Sequence, residues 1–94
     1  MMNVKQIVAW NLRRIRVERA LSQEAFAVDA RVDRTYVGRL ERGQENPTIL
    51  VLERLAKALG VTVAELVTAP RAGEQRPKPL PGGRPKQVVR KKRR

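Results

Sequence analysis

Along residues 4–19 the apolar side chains Val4, Val8, Leu12 and Ile15 recur at spacings of four, four and three, one stripe of a helical period. Arg13, Arg14, Glu18 and Arg19 fall mostly off that stripe, so the pattern predicts an amphipathic helix over 4–19. Trp10 lies away from the stripe, either as a half-exposed aromatic or as a residue covered by a second subunit or by the C-terminal segment. A shorter pattern follows. Ser22 is a helix N-cap candidate, because its hydroxyl can accept from a backbone N–H two or three residues on. Glu24 then sits in the first turn, where the helix dipole favours an acid. Phe26, Ala27 and Ala30 turn inward on a helix predicted over 23–30. Arg31-Val32-Asp33 leaves room only for a turn, and Asp33 is the next N-cap candidate. It opens a helix over 34–42 that buries Val37 and Leu40 and that Gly43 can end in the left-handed conformation.

Gln44-Glu45-Asn46-Pro47 reads as a loop. Thr48 caps a fourth helix whose stripe is Leu52, Leu55, Ala56 and Leu59, ended by Gly60; Ile49 and Leu50 are candidates to extend the stripe. Thr62 caps a short fifth helix from Val63 to about Val67. Val63, Leu66 and Val67 amount to more apolar surface than so short a segment can hide on a small domain, and they are expected to meet another subunit.

Two short helices joined by a tight turn, 23–30 and 34–42, form a helix-turn-helix unit, whose second helix lies in the major groove of DNA. The predicted outer face of that second helix carries Arg34, Thr35, Gly38, Arg39 and Arg42. Glycine inside a helix costs up to about 1 kcal/mol relative to alanine. Either Gly38 leaves room for close approach of a ligand backbone, or it is a tolerated neutral residue.

Charge sharpens this reading. The 94 residues carry 21 Lys/Arg against 9 Asp/Glu, a net charge of +12, which favours a polyanionic partner. Residues 1–70 hold 11 basic and 8 acidic side chains, whereas residues 71–94 hold ten basic ones against Glu74 alone. Five of the six prolines also fall in 70–94. That segment has too little apolar surface to offset its ordering entropy and is expected to be disordered. The predicted organisation is therefore a DNA-binding domain over 1–69 and a Pro/Gly-rich basic tail over 70–94. Trp10, Phe26 and Tyr36 are the only aromatics, so the core must be aliphatic.

The same inventory argues against other classes. Histidine and cysteine are absent, which removes the commonest general base and metal ligand, and any thiolate nucleophile. There is no Gly-rich phosphate loop. Asp29 and Asp33 flank a turn in which Asp33 already has a capping role. No enzyme, cofactor or metal site is expected, and no small-molecule ligand, since no second domain is large enough for a pocket. No apolar run approaches the roughly 18 residues of a membrane span, and a cytoplasmic protein is expected.

Taken together, residues 11–66 resemble the Cro/C1-type (XRE-like) helix-turn-helix of phage repressors and small bacterial regulators. The matching stretches are Asn11-Leu12-Arg13-Arg14-Ile15-Arg16, Leu21-Ser22-Gln23-Glu24, Phe26-Ala27, Leu40-Glu41-Arg42-Gly43, Asn46-Pro47-Thr48 and Leu55-Ala56-Lys57-Ala58-Leu59-Gly60-Val61. Asp33-Arg34-Thr35-Tyr36-Val37 is also similar to the recognition-helix start of restriction–modification controller proteins. The resemblance implies an all-α, five-helix, lambda-repressor-like domain that binds double-stranded DNA as a homodimer on a palindromic operator. By position it places Arg34, Thr35 and Arg39 against base edges, an arginine there suiting the O6/N7 acceptors of guanine. Gln23 would hold a phosphate. Tyr36 would touch the DNA backbone or, alternatively, pack toward the second helix. Arg42 and the backbone around Asn46 and Thr48 are further phosphate candidates. Arg16 and Glu41 match a structural ion pair between the first and third helices.

Three departures stand out. Arg31 occupies a turn position usually held by glycine, so a left-handed backbone there would carry roughly 1 kcal/mol of strain, offset in part by a phosphate contact. Ala30 replaces a larger aliphatic. Glu45 puts an acid in a loop that often faces phosphates. In the tail, Gly83-Arg84-Pro85-Lys86 is similar to half of an AT-hook, and Arg90-Lys91-Lys92-Arg93-Arg94 is a charge run suited to non-specific phosphate contact.

The leading expectation is a dimeric, sequence-specific transcriptional regulator, bacterial or phage-encoded and acting at the nucleoid. An antitoxin-like protein that binds a partner toxin and autoregulates its promoter is the alternative from a different class. A nucleoid-type binder dominated by tail charge is a third.

Overall fold

In the computed structural model, which describes residues 1–71, each helix begins at a side chain that caps it. The order is α1 (Val4–Glu18), α2 (Gln23–Ala30), α3 (Arg34–Glu41), α4 (Ile49–Leu59) and α5 (Val63–Leu66). Asn3 caps α1 in a reciprocal box with Gln6, both bonds 2.9 Å. Ser22 caps α2, Asp33 caps α3 and Thr48 caps α4, each accepting a backbone N–H of its first turn at 2.9–3.1 Å. Thr62 and Glu65 form a second box at α5. Capping satisfies some of the backbone donors that a helix start leaves open, so these polar residues set where the helices begin.

The helix ends are as specific. Gly43 (φ 72°) and Gly60 (φ 73°) turn left-handed after α3 and α4. So do Ala20 (φ 57°) and Arg31 (φ 61°), where a side chain must be accommodated. Arg31 thus takes the left-handed conformation that its turn position implied. Arg54 of α4 donates from Nε to the Ala30 carbonyl and from Nη2 to the Arg31 carbonyl, both 3.2 Å, and so holds the strained turn from below.

One aliphatic core joins the five helices: Leu12 and Ile15 from α1, Phe26 and Ala27 from α2, Val37 and Leu40 from α3, Leu52, Leu55 and Leu59 from α4, and Leu66 from α5. Side chains of this kind each contribute about 1.5–3 kcal/mol on full burial. Ala27 is buried within this core at 3% exposure. Ala30 is buried where a larger aliphatic was the family expectation.

Four expectations need correction. Leu66, expected at a subunit interface, has 0% exposure. Its helix is short enough to tilt its one large apolar side chain wholly into the monomer core. Ile49 and Leu50 do not extend the α4 stripe; they stand 77% and 70% exposed, since position and capping direct the first turn of α4 away from the core. Gly38 is buried rather than exposed, covered by the Arg42 and Gln23 side chains. Finally, α1 and α3 each end one residue earlier than predicted, and Val67 follows α5 as its C-cap.

Polar groups lock the last element down. Asn11, buried on α1, donates from Nδ2 to the Leu66 carbonyl at 2.8 Å and to the Thr68 carbonyl at 2.9 Å. Arg19 donates to the Leu59 carbonyl at 3.0 Å. No helix among the described residues is long and apolar enough to cross a membrane. The tail readings, the AT-hook-like stretch and the charge run lie outside the described residues.

Candidate nucleic-acid interface

The outer side of α3 exists because Val37 and Leu40 anchor its inner side at 0% and 2% exposure. Arg34 and Thr35 at its start are exposed, as is Arg42 just past its end, and Arg39 is half-exposed between them. Tyr36 is half-buried and packs against the core. Burial pushes its phenol above the usual tyrosine range, and the Glu45 carboxylate nearby pushes in the same direction. The group therefore stays an O–H donor at neutral pH.

Below this face lies a charged joint between helices. Arg16 Nε donates to Glu41 Oε2 at 2.6 Å and Arg16 Nη2 to Glu41 Oε1 at 3.0 Å, a bidentate pair with 8% and 2% side-chain exposure. Gln23 Nε2 adds a third donor to Glu41 Oε1 at 3.1 Å, and Arg16 Nη1 reaches the Leu21 carbonyl at 2.7 Å. Satisfied on both sides, this pair ties α1 and the start of α2 to the end of α3. Gln23, a phosphate candidate by sequence, thus has its amide orientation fixed by Glu41.

Gly38 lies beneath side chains from both helices. A Cβ at that position would sit 3.4 Å from Arg42 Nη1 and 3.9 Å from Gln23 Oε1. The side chains of Gln23 and Arg42 therefore converge above Gly38, and Arg42 is held further by a 3.1 Å bond from Nε to Gln44 Oε1. At the far end of the surface Asn46 and Thr48 are exposed. The Thr48 hydroxyl accepts from the Val51 N–H, and the first turn of α4 carries no acid. That leaves the Ile49 and Leu50 N–H groups as the positive end of a helix dipole.

Two features escaped sequence reading. Arg39 is held by Glu45, Nε to Oε2 at 2.6 Å, with side-chain exposures of 42% and 27%. The spacing of six residues across a helix end matches no regular pairing rule. The anchoring of the Arg31 turn by Arg54 likewise spans elements and left no local signal. Of the apolar positions expected at a subunit contact, Val63 is half-buried and Val67 exposed. Trp10 is half-buried, its indole N–H without a hydrogen-bond partner among the described residues. Among the same residues no cluster of acids is placed to hold a metal ion.

This arrangement, two short helices at a tight turn with a basic outer face on the second, defines a helix-turn-helix DNA-binding protein. The chain belongs to the helix-turn-helix family HTH_3, whose profile matches residues 12–66. It is 42% identical over 67 residues to the uncharacterized HTH-type transcriptional regulator y4dJ of Sinorhizobium fredii, covering 71% of this chain and 87% of that protein. It is 43% identical over 67 residues to the control protein C.SmaI of Serratia marcescens, covering 71% of this chain and 80% of that one. Its fold also matches the restriction–modification controller protein C.Esp1396I, solved as a tetramer in complex with its natural 35 base-pair operator. There the TM-score is 0.62 at 29% identity, over 72% of this chain and all of that one.

Proposed function

We propose that this chain regulates transcription by binding a palindromic operator as a homodimer, with α3 of each copy in the major groove. The observation that carries the reading is the exposed basic face of α3, Arg34, Thr35 and Arg39, on a helix fixed from behind by Val37, Leu40 and the Glu41 joint. In this reading those three residues contact base edges. Gln23, Tyr36, Arg31, Arg42, Asn46 and Thr48 set the register on the phosphates, helped by the N-termini of α2 and α4. Val63 and Val67 contribute to the subunit contact, with Leu66 supporting them from within. The operator complex of C.Esp1396I supports an oligomer on DNA. The place of action is then bacterial or phage DNA in the cytoplasm. The basic tail adds sequence-independent attraction, each phosphate contact adding about −0.9 to the salt slope on duplex DNA.

Arg39→Ala tests the reading. It is expected to cost about 1–3 kcal/mol on the preferred duplex and to relax preference at particular base pairs, measured by fluorescence titration of the preferred site and its single base-pair variants. An equal loss on every duplex would contradict base reading by α3.

A further inference from the structure

We propose that Glu45 is a specificity-determining residue: its carboxylate holds the Arg39 guanidinium side-on, so that the arginine is presented to one base pair in a fixed orientation. The inference rests on the base-reading role proposed for Arg39 above.

The contact uses a single donor, Arg39 Nε, at 2.6 Å from Glu45 Oε2, in the short range of charge-assisted hydrogen bonds. Arginine has five N–H donors in a rigid fork. The Nη groups of Arg39 make no hydrogen bond among the described residues, so the edge that fits guanine O6 and N7 is left available. The backbone brings the acid there deliberately. Gly43 turns left-handed after α3 (φ 72°), and the Gln44 N–H then bonds the carbonyl of Arg39 itself at 2.9 Å. This fold-back lays residue 45 beside residue 39. Tyr36, one helical turn before Arg39 on α3, feels the same carboxylate, and Arg39 and Arg54 oppose that influence. Glu45 is therefore set beside Arg39 and close enough to Tyr36 for its charge to act on the phenol.

Physically, such a support has two opposite effects on binding. Holding Arg39 in place before DNA arrives removes part of the side-chain entropy that a free arginine would lose on contact, and it makes the guanidinium less able to adapt to a wrong base. The same negative charge repels phosphates and weakens attraction to every duplex. Glu45 thus exchanges general affinity for discrimination.

These two effects separate in one experiment on the full chain. Binding is titrated with the preferred duplex, its single base-pair variants and a scrambled duplex, for wild type, Arg39→Ala, Glu45→Ala, Glu45→Gln and the double variant Arg39→Ala/Glu45→Ala. A far-UV melt of each variant checks the fold, and Glu45→Gln keeps the shape while removing the charge. At the base pair where Arg39→Ala erases preference, wild type is expected to discriminate roughly fivefold or more. Glu45→Ala is expected to reduce that discrimination to within about twofold while binding the scrambled duplex more tightly; Glu45→Gln falls between. The double variant discriminates no worse than Arg39→Ala alone, because Glu45 acts through Arg39. If Glu45→Ala tightens every duplex by one common factor and leaves discrimination intact, Glu45 is only a repulsive charge and the inference fails while base reading stands. If Arg39→Ala itself leaves discrimination unchanged, both fail.

Discussion

Glu41 shows how one residue can decide whether the DNA-facing helix is held at all. Its carboxylate takes three donors, two from Arg16 and one from Gln23, in a site almost closed to water. Glu41→Ala removes the acceptor and leaves the buried Arg16 guanidinium facing no charge, a loss of about 3–5 kcal/mol. Urea unfolding should show it as a lower midpoint at unchanged slope; a change under about 1 kcal/mol would mean the pair is dispensable. Gly38 makes the opposite case. Its buried position first suggests that only glycine fits, yet an added Cβ meets the end of the flexible Arg42 side chain at 3.4 Å and Gln23 at 3.9 Å, ordinary contact distances. The helix-propensity gain should therefore dominate, and Gly38→Ala is expected to stabilise the fold by about 0.5–1 kcal/mol in the same assay. A destabilised variant would show that α2 and α3 cannot yield even slightly at this crossing.

At the level of elements, what was legible in the sequence was whatever is decided within one helical turn. Ser22, Asp33, Thr48 and Thr62 are all N-caps in the structure because capping joins residues two or three apart. Gly60 and the turn at Arg31 follow from the same local chemistry. The Asn3–Gln6 box was equally local and could have been found by its spacing. What was not legible joins distant elements. Asn11 meets α5 across 55 positions, and Arg54 reaches the end of α2 across 24. No periodicity encodes either contact, so Leu66 looked like surplus apolar surface when it is core. Asn11 should matter accordingly. Asn11→Ala leaves the buried Leu66 carbonyl without its donor, costing about 1–3 kcal/mol, and the loss should appear first as faster amide exchange in α5. Unchanged protection there would show that packing of Leu66 alone secures the helix.

At the scale of the whole molecule, the face for DNA and the apolar positions on and beyond α5 are positioned by the same core. Leu66 seals that core from the α5 side, while Val37 and Leu40 seat α3 within it. In the proposed dimer this shared core would set the distance between the two copies of α3, and with it the spacing of half-sites. The resemblance implied Arg34, Thr35 and Arg39 as base-facing positions, and on α3 the first two are exposed and the third half-exposed. The restraint of Arg39 by Glu45 was not legible in the sequence, because it depends on how the chain folds back after Gly43. In the proposed function, paired copies of α3 read DNA sequence. Selection of bound duplexes from a random pool by the full chain, at about physiological salt, tests it most directly. A palindromic consensus is expected, with two equivalent half-sites about one helical turn apart or a multiple of it. Bound duplexes without any consensus would contradict it.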